Sequence, residues 1–130
     1  MSEDNVERVR RGFEGLDAGD PYVFLNMYDP DIELYIPAWS SPDCGVHRGV
    51  AAVNRWYGHS FAQWTDARYE PLEMLDREPH VLVVGRWNAR GKRSGVGLEG
   101  RFVQVFTFRE GRILAIAQLG GVAGAAAGME

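Results

Sequence analysis

The spacing of the apolar residues changes near residue 67, and this change limits the possible folds more than any other feature of the sequence. In the first half, apolar residues recur every three or four positions, which predicts helices over 5–17 and 49–64. In the second half, apolar and polar residues alternate, which predicts consecutive strands. These strands are predicted at 67–75, 80–89, 97–108 and 112–119.

Two further elements are predicted between the long helices. Asp20-Pro21 can start a short second helix, since Asp caps helices and Pro is favoured at the first helical position, and Asp29-Pro30 ends it. Residues 31–36 alternate and predict a strand, whereas 37–48 contains Pro, Ser, Asp and Gly and is predicted to be a loop. The order α-α-β-α-β-β-β-β is typical of an α+β domain whose helices pack on one side of a curved, mostly antiparallel sheet.

The bulk composition fits one globular domain and argues against several classes of partner. A length of 130 residues leaves room for a single core, predicted at 5–119, with a loose Gly- and Ala-rich tail at 120–130. The net charge of −4 predicts no nucleic-acid binding, and the basic residues of 90–93 lie in a predicted hairpin tip. The single cysteine excludes an internal disulfide, while the charged N-terminus and the lack of a long apolar run predict a cytoplasmic protein without a membrane span.

The chain is rich in aromatic residues, with four Trp, five Tyr and six Phe. Large rings must pack against other groups, so they predict a wide core or a ring-lined cavity. On the 97–108 strand, Phe102, Gln104 and Phe106 share one face and are predicted to line such a cavity, whereas Trp56 is predicted on the outer side of the third helix. These residues therefore predict a pocket that can hold a small hydrophobic molecule.

Four short motifs, in this order, resemble the SnoaL-like branch of the nuclear transport factor 2-like superfamily over residues 5–119. They are Asp17-Ala18-Gly19-Asp20, Tyr28-Asp29-Pro30-Asp31, Arg48-Gly49-Val50-Ala51-Ala52-Val53 and Phe106-Thr107-Phe108-Arg109-Glu110-Gly111-Arg112-Ile113. The resemblance implies a cone-shaped half-barrel with a deep pocket, and a homodimer formed through the outer face of the sheet. Superfamily members include isomerases, cyclases, epoxide hydrolases, dehydratases and non-catalytic binding proteins, so function must be argued from the site.

The positions that are catalytic in the family carry other residues in this chain. The resemblance places Gly12, Ile36 and Gln104 where ketosteroid isomerases need a phenol, a carboxylate base and a protonated acid. It also places Gln104 and Gly121 where many SnoaL-like cyclases have a His and an Asp. The ketosteroid isomerase mechanism is therefore disfavoured.

The remaining site candidates are polar and aromatic residues predicted to face the pocket. Gln104 and Tyr57 are predicted to polarise a substrate; alternatively Gln104, a buried amide that needs partners, bonds to Gln118 or Tyr57 within the core. His47 is the candidate proton carrier because its ordinary pKa lies near neutrality, and the alternative is an exposed loop histidine. The other residues predicted to contact a ligand are Tyr28, Ile36, Trp39, Trp87, Phe102, Phe106 and Gln118.

Two functions stay open from the sequence. One, implied by the resemblance, is a cofactor-independent isomerase, cyclase or hydratase that acts on a small hydrophobic, carbonyl-bearing molecule, with His47, Gln104 and Tyr57 as its catalytic residues. The other is a non-catalytic, dimeric domain that holds a hydrophobic molecule. The three histidines lack a spacing typical of metal ligands, so no metal and no cofactor is predicted. Cys44 is predicted to be a bystander thiol near the pocket rim.

Overall fold

The computed structural model describes residues 2–38, 44–62 and 64–120. Within these ranges, the helices and strands follow one another in the order α1, α2, β1, β2, α3, β3, β4, β5 and β6. The helices are α1 (Ser2–Asp17), α2 (Tyr22–Leu25) and α3 (Val50–Ala62). The strands are β1 (Tyr28–Ile36), β2 (Gly45–Arg48), β3 (Trp64–Arg77), β4 (His80–Gly91), β5 (Gly97–Arg109) and β6 (Arg112–Gly120).

The six strands form one open sheet in the order β2-β1-β6-β5-β4-β3. All neighbours are antiparallel except β1 and β6, which are parallel. The turn between β5 and β6 uses positive φ angles at Glu110 (52°) and Gly111 (78°), which suit a tight hairpin. The predicted α+β class and mostly antiparallel sheet are confirmed.

The structure corrects the predicted elements between α1 and β3. Residues 45–48, predicted as part of a loop, form the edge strand β2, in which Val46 pairs with Tyr35 and His47 pairs with Leu34. A strand of four residues, of which the first is a glycine, is too short for alternation to be recognised in the sequence. The second helix ends at Leu25, and Tyr28 already belongs to β1, whereas the third helix stops at Ala62 and Trp64 begins β3.

An ion-pair cluster fixes the start of β1 against the end of β5. The Asp29 carboxylate accepts a hydrogen bond from the backbone N–H of Asp31 (2.8 Å) and two from the Arg109 guanidinium, whose Nη2 lies 2.9 Å from Oδ1. Arg109 also reaches Asp31, at 3.2 Å. These contacts form where the sequence predicted only a helix stop at Asp29-Pro30, and they position the preceding residue, Tyr28, in the core.

Two glycines allow aromatic rings to pack directly against backbone. A Cβ atom at Gly12 on α1 would clash with the Phe24 ring, and one at Gly85 on β4 would lie 2.5 Å from the Phe102 ring. Gly85 is the cross-strand partner of Phe102, so the ring covers the space where a side chain would stand. The absence of side chains at these two positions therefore sets where Phe24 and Phe102 lie.

None of the helices in the described ranges has both the length and the apolar character needed to cross a membrane.

Candidate ligand-binding cavity

A cavity of about 370 Å³ lies between the helices and the inner face of the sheet. This volume falls within the range of about 300–1,000 Å³ that is typical of small-molecule sites. Residues from α1, α2, α3 and four strands contribute to its walls. They are Phe13, Leu16, Pro21, Tyr22, Phe24, Leu25, Tyr28, Asn54, Trp56, Tyr57, Gly58, Ser60, Phe61, Tyr69, Phe102, Gln104, Phe106, Ile116 and Gln118.

One wall of the cavity is a set of mutually packed phenylalanine rings. The centroids of Phe13 and Phe24 are 5.3 Å apart in an edge-to-face arrangement, and Phe24 stacks on Phe106 at 5.6 Å. Phe13 also stacks on Phe102 at 5.8 Å. These are favourable aromatic geometries, so each ring limits the movement of the others. The wall is therefore preformed and apolar.

Three of the polar residues that line the cavity are Tyr57, Gln104 and Gln118, which we call the amide-phenol cluster. Gln104 on β5 and Gln118 on β6 are direct cross-strand partners, and both are buried. Gln118 Nε2 donates a hydrogen bond to the Tyr57 hydroxyl at 2.8 Å. The carbonyl oxygens of both glutamines are buried and have no hydrogen-bond partner among the described residues.

Burial shifts the tyrosines of the cavity towards their neutral form. It raises the pKa of Tyr57 well above its ordinary value; the nearby Tyr28 adds to the rise, while hydrogen bonds from Gln118 and Gln104 oppose it. Burial alone raises the pKa of Tyr28 and of Tyr69 to about 12. These three phenols are therefore protonated at neutral pH and can act as hydrogen-bond donors.

No carboxylate, histidine, cysteine, lysine or arginine occurs among the described residues that line the cavity. A buried charge is costly unless it is paired, so such a lining favours uncharged ligands. A general base for proton abstraction has to come from outside this lining. The described ranges also contain no group of three or more His, Cys, Asp and Glu residues arranged to hold a metal ion.

The structure brings together six of the residues predicted from the sequence. These predicted site residues all line the cavity, and they are Tyr28, Tyr57, Phe102, Gln104, Phe106 and Gln118. The 2.8 Å hydrogen bond to Tyr57 comes from Gln118, whereas the alternative predicted from the sequence joined Gln104 to Gln118 or Tyr57. What these residues bind or catalyse stays a prediction.

Ile36 and Trp87 are both buried but do not line the cavity, which corrects their placement as pocket walls. The Trp87 indole lies against Gly100, its cross-strand partner, and its ring centroid is 6.0 Å from that of Trp64. It therefore closes the core where β3 begins. Ile36 lies at the end of β1 opposite Gly45 of β2. The predicted contact residue Trp39 lies outside the described residues.

His47 lies on β2, not in a loop, and is not part of the cavity lining. It is half-buried, and its ring centroid is 6.4 Å from that of Trp56, which does line the cavity. Trp56 was expected on the outer side of the third helix, yet it is buried. The spacing of Val53, Trp56 and Tyr57, at i, i+3 and i+4, is the signal that could have identified it.

The comparisons with known proteins agree with the geometry of the fold. Residues 9–116 match the SnoaL-like domain family. An uncharacterised protein of Mycobacterium tuberculosis is 27% identical over 119 residues, which span 91% of this chain and 90% of that protein.

Two solved structures have the same fold. A nuclear transport factor 2-like protein from Burkholderia xenovorans is 29% identical, with a TM-score of 0.76 and coverage of 98% of this chain and 95% of that one. A candidate SnoaL-like polyketide cyclase from Jannaschia is 15% identical, with a TM-score of 0.79 and coverage of 90% and 85%. The matched family covers both the sheet and the helices that enclose the cavity. This chain therefore belongs to the SnoaL-like domain family.

Proposed function

We propose that the chain binds a small, uncharged, mainly apolar molecule in the cavity. The observation that carries this proposal is the combination of a preformed aromatic wall with polar groups that are all neutral side chains. A charged ligand would lose its hydration without gaining a counter-charge from the lining, which is strongly unfavourable. An apolar ring system would instead be removed from water against Phe13, Phe24 and Phe106.

The test uses N-phenyl-1-naphthylamine, a neutral dye whose fluorescence rises in apolar surroundings. We expect saturable binding to the wild-type chain and loss of binding in Gly58→Phe, which places a ring at a cavity-lining position of α3. The matched control is His59→Phe, because His59 is the next residue on α3, is exposed and does not line the cavity. The proposal would be contradicted if Gly58→Phe and His59→Phe bound the dye equally well, or if the wild-type chain did not bind it.

Catalysis on the bound molecule is the second candidate, as an isomerase, cyclase or hydratase reaction. It is favoured by the position of the Tyr57 hydroxyl, which is supported by Gln118 and able to donate to a carbonyl oxygen. A donor preset in this way stabilises negative charge that develops on oxygen. His47, in contact with Trp56, is the proposed proton carrier.

Hydrogen–deuterium exchange next to the carbonyl of 1-tetralone in D₂O, followed by NMR, tests for such proton abstraction. Catalysis predicts exchange faster than in buffer, and slower exchange in Tyr57→Phe and in His47→Ala. A rate equal to that in buffer removes this candidate for ketone substrates. An effect of Tyr57→Phe without an effect of His47→Ala removes His47 from the mechanism.

We also propose that two copies of the chain associate through the outer face of the sheet. A row of mainly apolar residues crosses this face in cross-strand register, and two of its members, Tyr35 and Val46, are 48% and 44% exposed. The row consists of Leu82, Val105, Ala117, Tyr35 and Val46. Sedimentation analysis should give a dimer that Tyr35→Glu dissociates and Val96→Glu, at the exposed β4–β5 hairpin tip, leaves intact. A wild-type monomer would contradict this.

A further inference from the structure

We propose that the amide-phenol cluster selects a ligand that carries a neutral hydroxyl group, rather than one that carries a carbonyl group alone. This inference rests on the proposed function, since it names the chemical class of the molecule in the same cavity. It is carried by the unmatched hydrogen-bonding groups of Tyr57, Gln104 and Gln118.

The cluster offers both acceptors and a donor to a ligand. The Tyr57 oxygen accepts from Gln118 Nε2, so the hydroxyl hydrogen of Tyr57 is available for donation. The carbonyl oxygens of Gln104 and Gln118 have no partner among the described residues. Each has less than 1 Å² of accessible surface, so neither water nor a ligand reaches it until the amide turns towards the cavity. A buried acceptor without a donor is unfavourable, and a ligand that supplies the donor removes that cost.

A hydroxyl group matches this arrangement because it accepts and donates at the same time. It can accept from Tyr57 and donate to Gln104, whereas a ketone oxygen can only accept and leaves both amide oxygens unmatched. The terminal torsion of a glutamine side chain is broad, so the amide can turn towards the ligand. Exchanging the amide nitrogen and oxygen of either glutamine changes which of its atoms is unmatched. One donor and one acceptor of the cluster are still left without partners.

The surroundings of the cluster exclude an ionised hydroxyl or an acid in its place. The described lining contains no cationic residue that would stabilise an anion. The neighbouring phenols of Tyr28 and Tyr69 are held in the neutral form by burial. The cluster therefore suits an alcohol or a phenol that stays protonated, attached to a ring system that packs on the phenylalanine wall.

Three probes with one tricyclic skeleton separate the hydroxyl from the carbonyl. They are 9-fluorenol, which donates and accepts, 9-fluorenone, which only accepts, and fluorene, which does neither. Equilibrium dialysis with the full chain should give a dissociation constant for 9-fluorenol that is lower than that for 9-fluorenone by about tenfold or more. Fluorene should bind with an affinity similar to that of 9-fluorenone or weaker.

The variant Gln104→Met keeps the length of the side chain and removes both polar atoms. It should abolish the preference for 9-fluorenol while leaving the binding of fluorene unchanged or tighter. Leu25→Val is the matched control, since Leu25 lines the cavity without a polar group and should alter the affinity for all three probes by the same factor. Circular dichroism verifies that each variant is folded. The comparison of the three probes on the wild-type chain does not depend on any variant.

The outcomes distinguish this inference from the proposed function. If 9-fluorenone or fluorene binds as tightly as 9-fluorenol, the hydroxyl inference is overturned while the proposal of an apolar binding site stands. If Gln104→Met retains the preference, the role of Gln104 is overturned. If none of the three probes binds to the wild-type chain, both the inference and the proposed function fail.

Discussion

The chain contains two polar clusters that differ in how completely its own atoms satisfy them. The cluster of Asp29, Asp31 and Arg109 is charged, and both oxygens of the buried Asp29 carboxylate accept hydrogen bonds within the chain. The amide-phenol cluster is neutral, and two of its carbonyl oxygens have no partner among the described residues. A polar group that is fully paired contributes to the fold, whereas an unmatched amide beside a cavity can turn to meet a ligand.

The largest effect is expected from Tyr57→Phe, which removes the acceptor of the 2.8 Å hydrogen bond from Gln118. Gln118 Nε2 then loses its acceptor, so the free energy of unfolding should fall by about 1–3 kcal/mol. Affinity for 9-fluorenol should fall by about tenfold or more, because the phenol no longer donates. Urea unfolding and equilibrium dialysis measure the two effects. Tyr28→Phe is the control, since among the described residues the Tyr28 hydroxyl makes no hydrogen bond to the amide-phenol cluster.

A smaller effect of opposite sign is expected from Gln104→Met in the ligand-free protein. Removing a buried acceptor that has no partner should raise the free energy of unfolding by about 1 kcal/mol. Gln118→Met should give no such gain, because it also removes the hydrogen bond to Tyr57. Urea unfolding of both variants measures the difference. Destabilisation by Gln104→Met to the same extent as by Gln118→Met would show that the two clusters do not differ as described.

The cluster of Asp29, Asp31 and Arg109 should make the stability of the chain depend on pH in the acid range. The pKa of Asp29 is lowered mainly by the backbone hydrogen bond from Asp31 and further by Arg109. A lowered pKa in the folded state means that the stabilisation is present above the unfolded pKa of about 3.9 and is lost as the pH falls below it. Wild-type stability should therefore fall in this range, and Asp29→Asn should flatten the fall. Urea midpoints of the wild type and of Asp29→Asn from pH 2 to pH 6 measure the difference. If the midpoints of both proteins fall by the same amount, the lowered pKa of Asp29 is contradicted.

The smallest effect is expected from Asp31→Asn. The Asp31 side chain is 77% exposed and meets Arg109 at 3.2 Å, so water and salt screen this pair. The variant keeps the backbone N–H that binds Asp29 and should leave the urea midpoint at pH 7 almost unchanged. A loss of stability as large as that of Asp29→Asn would mean that the surface pair, and not the buried carboxylate, fixes the start of β1.

The sequence predicts the sheet well where a strand is long and one of its faces is buried. The alternation along β5 and β6 correctly places Phe102, Gln104, Phe106 and Gln118 on the inner face, because the period of a strand is two regardless of its neighbours. The edge strand β2 has only four residues, and its pairing with β1 is a long-range event that local patterns do not encode.

The sequence predicts the cavity less completely, because alternation assigns a face but not a position along it. Trp87 and Phe102 both lie on the inner face, yet Phe102 faces the cavity and Trp87 packs on Trp64 near the start of β3. The curvature of the sheet and the place where α3 ends decide between these two outcomes. His47 was predicted to be a proton carrier or an exposed histidine in a loop, and its actual position depends on strand β2, which was predicted as part of that loop.

The contacts of Gly12 and Gly85 have a consequence for how this cavity can be resized. The rings of Phe24 and Phe102 rest on these glycines, so a methyl group added at Gly12 would displace the Phe24 ring, whereas one added at Gly85 would meet both the Phe102 ring and the backbone oxygen of Glu70 on β3. Residues behind the walls thus limit the size of the cavity without lining it. Divergence among relatives, or deliberate redesign, can change the cavity at Gly12 by moving a ring, whereas a change at Gly85 must also move the backbone of β3.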